Sequence, residues 1–184
     1  MRIIAGKLRG KILQTPSGDA TRPTADRARE TLFDVLTSAL LKQGISWNHI
    51  TFADIFAGSG AVGIEAFSRG AADVVCLEND PQALKCLKAN AQQISQIHVY
   101  PDNALSPPPH AAVSILFMDA PYGVGLWQRA LPALEKAGWI DQKTIVIVET
   151  DRKLNEKLPD GFTLLQERAA GRNVFLFAKQ TKES

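Results

Sequence analysis

Cysteine is scarce: the 184 residues contain only Cys76 and Cys86, and they form no C-x-x-C pair. Two such thiols suit a reducing compartment, so the expected setting is the cytoplasm. Histidine is equally thin. His49, His98 and His110 are scattered without a ligand spacing, so no metal is expected. No apolar run approaches the roughly 20 residues of a bilayer span, and no membrane contact is expected. The opening residues Met1-Arg2-Ile3-Ile4-Ala5-Gly6-Lys7 lack the long apolar core of a secretion signal. No internal repeat or low-complexity tract appears.

What is present is a globular composition, 45% hydrophobic and 22% charged, enough for the core of one domain with a small appendage. The net charge of +2 is unevenly spread. Residues 1–30 carry seven basic and three acidic side chains, and the rest carry 14 basic and 16 acidic. A basic leading segment on a near-neutral body suggests contact with a polyanion; a solvated basic tail is the plainer alternative.

Residues 2–13 read as two short strands around Gly6-Lys7-Leu8-Arg9-Gly10, a hairpin whose tip carries Lys7 and Arg9 with Lys11 nearby. A polar loop spans 14–21. Arg22-Pro23-Thr24 opens a helix, with Thr24 as expected N-cap and Asp26 in the first turn. Its apolar face is Ala28, Leu32, Val35, Leu36, Ala39 and Leu40, and Gly44 ends it.

From Thr51 the pattern alternates. Strands are expected at 51–55, 73–78, 97–100, 112–118 and 143–149. Helices are expected near 60–69, at 81–94 and at 125–137, with a rigid Pro-rich loop at 106–110. Two closing strands, 162–168 and 172–179, form a hairpin. The implied fold class is α/β: a doubly wound, mainly parallel sheet with an antiparallel end.

In such a sheet ligands bind beyond the carboxyl ends of the strands. Those ends carry Asp54, Glu78-Asn79-Asp80, Asp102-Asn103-Ala104, Asp119-Ala120-Pro121-Tyr122 and Glu149. After Asp54-Ile55-Phe56-Ala57 comes a glycine turn, Gly58-Ser59-Gly60, with Gly63 completing G-x-G-x-x-G. Glu78, 20 residues after Gly58, can accept both hydroxyls of a ribose. This fits NAD or S-adenosylmethionine. Asp54 would repel a pyrophosphate but attract the ammonium of a methionine head, and Asp102-Asn103 suits an adenine edge.

Asp119-Ala120-Pro121-Tyr122 is the candidate reactive loop. An exocyclic base amine must pyramidalise before it attacks a methyl group. The Asp119 carboxylate and a carbonyl of Ala120 or Pro121 can accept its two N–H bonds, and Tyr122 can stack on the base, worth roughly 1–3 kcal/mol. The methylated nitrogen becomes acidic, so no strong base is needed; positioning and electrostatics carry the rate.

The chain resembles the RsmD group of bacterial 16S rRNA guanine-N2 methyltransferases. The likeness covers Arg2-Ile3-Ile4-Ala5-Gly6 with Arg9-Gly10, then Arg22-Pro23-Thr24-Ala25-Asp26-Arg27-Ala28-Arg29-Glu30-Thr31-Leu32-Phe33, Asp54 to Ala66, and Ser68-Arg69-Gly70-Ala71. The glycine motif is generic; the Arg22–Phe33 block is the specific part. The resemblance implies a Rossmann-like methyltransferase domain over 22–184, with a seven-stranded, mostly parallel sheet flanked by helices, and a basic N-terminal β-hairpin extension over 1–21. It implies S-adenosylmethionine as cofactor, held by Asp54, Phe56, Gly58, Gly60, Glu78, Asn79, Asp102, Asn103 and Ala104, with Thr24 and Phe33 lining the methionine side. Asp119, Pro121 and Tyr122 become the catalytic group. Arg2, Lys7, Arg9, Lys11, Arg22 and Arg27 become contacts to 16S rRNA in the small ribosomal subunit, for an enzyme expected to be a monomer. One departure stands out: Ala120 replaces the first Pro of the family's Asp-Pro-Pro-Tyr/Phe motif. The competing readings are a DNA adenine or cytosine amino-methyltransferase, an NAD-dependent oxidoreductase and a noncatalytic RNA-binding module.

Overall fold

The computed structural model describes residues 1–16 and 23–181, with side chains from Asp26 onward in the first helix. That helix, α1 (Pro23–Lys42), buries Ala28, Leu32, Phe33, Leu36 and Leu40 along one stripe. It already includes Thr24, which is therefore not its N-cap. A short 3-10 turn, Trp47–His49, leads into the alternating region.

Strands β1 (Thr51–Ile55), β2 (Asp73–Leu77), β3 (Ile97–Tyr100), β4 (Ile115–Met118) and β5 (Ile145–Asp151) run parallel. Helices α2 (Ala61–Arg69), α3 (Pro81–Ala91) and α4 (Leu126–Lys136) connect some of them. The hairpin β6 (Phe162–Ala170) and β7 (Asn173–Gln180) closes the sheet, β7 pairing antiparallel to β5. The seven-stranded order is β3-β2-β1-β4-β5-β7-β6. This is the expected doubly wound sheet with an antiparallel end, and its order reverses between β1 and β4.

Side chains alternate strictly between two cores. Phe52, Val74, Cys76, Phe117, Ile147 and Phe175 face α1, α2 and the N-terminal segment. Ala53, Ile55, Val75, Met118 and Val148 face α4 with Trp127 and Trp139. Both tryptophans are buried packing residues: the Trp139 indole donates to the Pro108 carbonyl at 2.8 Å and that of Trp127 to Glu156 at 3.0 Å. Where a helix could have joined β3 to β4, Pro107-Pro108-Pro109 lack amide donors and the chain stays extended. Strand β4 accordingly starts at Ile115 rather than at residue 112.

The N-terminal segment folds back on itself as a minimal antiparallel hairpin, shorter than two full strands. A single bridge pairs Arg2 with Ile12. Across the segment the Ile3 amide donates to Lys11, that of Gly10 to Ile3 and that of Leu13 to Met1, while other donors go to α2: the Ile4 and Ala5 amides donate to the buried Glu65 carboxylate at 2.7 and 3.0 Å, and the Lys7 amide donates to the Ser68 carbonyl at 2.8 Å. Gly6, at φ +80, lies so close to α2 that a Cβ there would sit 1.9 Å from the Ser68 oxygen. Ile3 and Leu13 enter the core. The segment is thus pressed onto the helix that leaves the glycine turn.

Candidate functional site at the carboxyl edge of the sheet

Register lines up the strand ends. Tyr100 pairs with Leu77, Leu77 with Ile55, Ile55 with Met118, and Met118 with Val148. The residues just beyond are Asp102, Glu78, Phe56, Asp119 and Glu149. Because faces alternate along a strand, Asp54 falls on the side of Phe52 and Glu149 on the side of Ile147, the face that carries α2. Glu78 and Asp119 continue the same alternation from Cys76 and Phe117. Four carboxylates therefore gather on one face of the crevice where the strand order reverses, the place such sheets bind ligands.

The turn itself is held in unusual backbone. Phe56 has φ 63, a conformation that costs an L side chain energy and clusters at functional sites, and Gly58 and Gly60 have φ 56 and 79. The glycines serve different ends. A Cβ on Gly58 would meet no atom within 4 Å, so its open side faces free space. A Cβ on Gly60 would come 2.3 Å from Leu87 Cδ1, and one on Gly63 2.7 Å from Cys76 Sγ. The first leaves room for a ligand; the other two let α2 and α3 close on the sheet.

Asp54 is buried and accepts the Gly63 amide at 2.8 Å. Burial pushes its carboxyl up to about 7; the Gly63 bond opposes this, Glu78 adds to it and Arg29 opposes it. Glu78 braces the turn, accepting the amides of Gly58 at 2.7 Å, Asn79 at 2.8 Å and Asp80 at 2.7 Å. Three of its roughly four acceptor positions are thus filled, which corrects the expectation that it is free to take two ribose hydroxyls. Asn103 likewise spends its side-chain oxygen on the Leu105 amide at 2.9 Å, forming a local turn beside buried Ala104 and half-buried Asp102. Asn79 is exposed.

Across the crevice, Asp119 is accessible from the mouth while protein crowds it from behind. Separation from water raises its carboxyl, and the charges of Glu149 and then Asp54 raise it further. With the side chain accessible, the like charges are the firmer cause. Tyr122 is half-buried; burial and then the Asp119 charge push its hydroxyl upward. Tyr122 works against the rise of both the Asp119 and the Glu149 carboxyls. Glu149 is raised mainly by burial, opposed by a hydrogen bond from the Asn173 amide. Ala120 is buried and Pro121 exposed. Among the described residues no three His, Cys, Asp or Glu side chains converge into a metal-binding group.

The chain matches the family model described as conserved hypothetical protein 95 over residues 1–179. It is 33% identical to ribosomal RNA small subunit methyltransferase D of Haemophilus influenzae, across 93% of this chain and 89% of that one. Against the Escherichia coli K12 protein of the same name the identity is 33%, across 95% and 87%. The solved structure of Escherichia coli yhhF superposes with a TM-score of 0.82 at 29% identity, over 100% of this chain and 99% of that one. The chain belongs to the RsmD family of methyltransferases.

This RsmD-family chain places the remaining candidates unequally. Arg2, Arg9 and Arg27 are exposed and line one groove of about 390 Å³ with Asp26 and Glu30. Lys7 is exposed but its ammonium lies 3.4 Å over the Phe67 ring, and the Lys11 ammonium donates to the Asn90 carbonyl at 2.9 Å. Arg29 is buried, donating to the Arg2 carbonyl at 2.6 Å and to Asp26 at 3.0 Å, so it braces the N-terminal segment. Phe33 is corrected outright. It is wholly buried, stacked on Phe52 and tilted against Trp47, and belongs to the core rather than the cofactor's methionine side. Arg22 and the Thr24 side chain lie outside the described residues.

Sequence reasoning missed Asn90, whose buried amide donates to the Gln14 and Ser59 carbonyls, each at 2.9 Å, and so ties the N-terminal segment to the glycine turn. It also noted Glu149 only as a strand end; an acid closing an apolar run beside Asp119 was the available signal.

Proposed function

We propose that this RsmD-family methyltransferase transfers a methyl group from S-adenosylmethionine to the exocyclic N2 amine of a guanine in 16S rRNA, the guanine(966)-N2 type, on small ribosomal subunit particles. The observation that carries the reading is the meeting of Asp119 and Tyr122 with Asp54 and the glycine turn at one crevice. Ribosomal RNA as substrate is supported by the names of the 33% identical relatives, both ribosomal RNA small subunit methyltransferases.

The residues present fit the methyl donor. Gly58 opens onto free space, and Asp54, Glu78 and Asp119 make a cradle for a cation rather than for a pyrophosphate. Asp54 would hold the ammonium of the methionine head, Glu78 would offer its one remaining acceptor position to a ribose hydroxyl, and Asp102 would face the adenine. When bound, S-adenosylmethionine supplies an electrophilic methyl group.

Asp119 accepts an N–H of the target amine and favours its pyramidal form, a backbone carbonyl of Ala120 or Pro121 accepts the other, and Tyr122 packs on the base. The proton released from N2 passes to the Asp119 carboxylate or to water. Arg2, Arg9 and Arg27 bind RNA phosphates from the groove beside the N-terminal segment, within an extension spanning 1–21. The enzyme works as a monomer in the cytoplasm, where its ribosomal substrate is. The test is to offer labelled S-adenosylmethionine with undermethylated small subunits, naked rRNA and duplex DNA. Label in the small subunits is expected; label in DNA alone would instead favour the amino-methyltransferase of DNA adenine or cytosine.

A further inference from the structure

Glu149 stands beside the reacting centre without a part in methyl transfer. The β4–β5 ladder pairs Met118 with Val148, and each is followed by an acid, Asp119 and Glu149. Neighbouring strands lie about 4.8 Å apart, and equivalent positions on paired strands share a face. The two carboxylates are therefore adjacent and turned to the same side. The Glu149 charge raises the Asp119 carboxyl, as a nearby like charge does. Glu149 is also pinned: the Asn173 amide, at the start of β7, donates to its Oε1. A half-buried acid fixed by one neighbour and facing a second acid is arranged to receive two adjacent donors.

An unstacked base is read on its Watson–Crick edge. Guanine presents two donors side by side there, the ring N1–H and the N2 amine. Adenine and cytosine set an amine beside a ring nitrogen that accepts. We infer that Glu149 selects guanine by accepting its N1–H while Asp119 engages the neighbouring N2 amine. The inference rests on the guanine-N2 reading above. For adenine or cytosine the same geometry opposes a carboxylate to a lone pair, leaving both acceptors unpaired in a site shielded from water.

The test separates recognition from folding. Small subunits are reconstituted with guanine or 2-aminopurine at the methylated position; 2-aminopurine keeps the 2-amine but has no N1–H. Wild-type enzyme should favour guanine by at least about a hundredfold, since a site built to bond a donor rejects the analogue lacking it. In Glu149→Gln the amide can donate to the ring nitrogen. Transfer to guanine should fall, transfer to 2-aminopurine should rise, and the ratio should drop by about a hundredfold or more. A bracing role alone would lower both rates together and leave the ratio in place, which would overturn the inference. Wild-type enzyme that uses the two bases equally would overturn it without any variant. Absence of guanine-N2 methylation by wild type would instead sink the functional reading, and this inference with it.

Discussion

Asp54→Asn should remove much of the pH dependence of stability between about pH 4 and about pH 7. The folded protein holds this carboxyl at about 7, against an ordinary value of 3.8. A raised carboxyl binds its proton more tightly folded than unfolded. Stability from this group is therefore fully present below 3.8, declines as pH rises, and levels off above about 7. At 1.36 kcal/mol per pH unit the full loss is on the order of 4 kcal/mol. Asparagine keeps an acceptor for the Gly63 amide and carries no charge, so the variant should be more stable than wild type at pH 8 and similar near pH 4. Denaturant unfolding across a pH series measures this. Cofactor binding should move oppositely: a cationic methionine head favours the ionised form, so wild-type affinity for S-adenosylmethionine should tighten as pH passes through about 7. The variant should bind roughly 10–100-fold more weakly at pH 8, the worth of a charged hydrogen bond. Parallel pH–stability curves for the two proteins would refute the argument.

Asp119→Ala should abolish nearly all methyl transfer while calorimetry shows cofactor binding largely kept, because Asp119 faces the crevice from β4 and not from the glycine turn. Gly6→Ala should free the N-terminal segment from α2, since its Cβ would overlap the Ser68 carbonyl and its φ of +80 costs an L residue about 1–2 kcal/mol on its own; hydrogen exchange of the Lys7 and Leu8 amides should speed up. Arg29→Ala should cost about 1–3 kcal/mol in denaturant unfolding, as it removes the buried guanidinium's bonds to the Arg2 carbonyl and Asp26. Arg27→Glu should leave the unfolding midpoint within about 0.5 kcal/mol, because the side chain is exposed, yet raise KM for the ribosomal substrate.

The sheet was legible because each of its strands has a strong local signature. Apolar runs such as 115–118 and 145–148 mark strands buried on both faces, and alternation with helices implies parallel pairing. Strand limits were less legible: just before β4, Val113 bonds to Trp139 and Ser114 to Thr51 in ways no period reveals. The N-terminal segment folds back on itself as its alternation suggests, through one antiparallel bridge; that it also binds α2, through Glu65 and Ser68 some 60 residues away, no local pattern shows. Phe33 failed for a related reason. Its block identifies the family, but only packing against Phe52 and Trp47 shows that it is core. At the site, strand-end position was enough to gather Asp54, Glu78, Asp119 and Glu149. It could not tell which carboxylate oxygens the backbone would occupy, and there Glu78 and Asn103 differ from expectation.

The most direct test of the account is nucleoside mass spectrometry of rRNA from undermethylated small subunits after incubation with enzyme and S-adenosylmethionine. The account predicts N2-methylguanosine, absent with Asp119→Ala. Methylated adenine or cytosine in its place, or N2-methylguanosine formed equally well by the Asp119 variant, would contradict it.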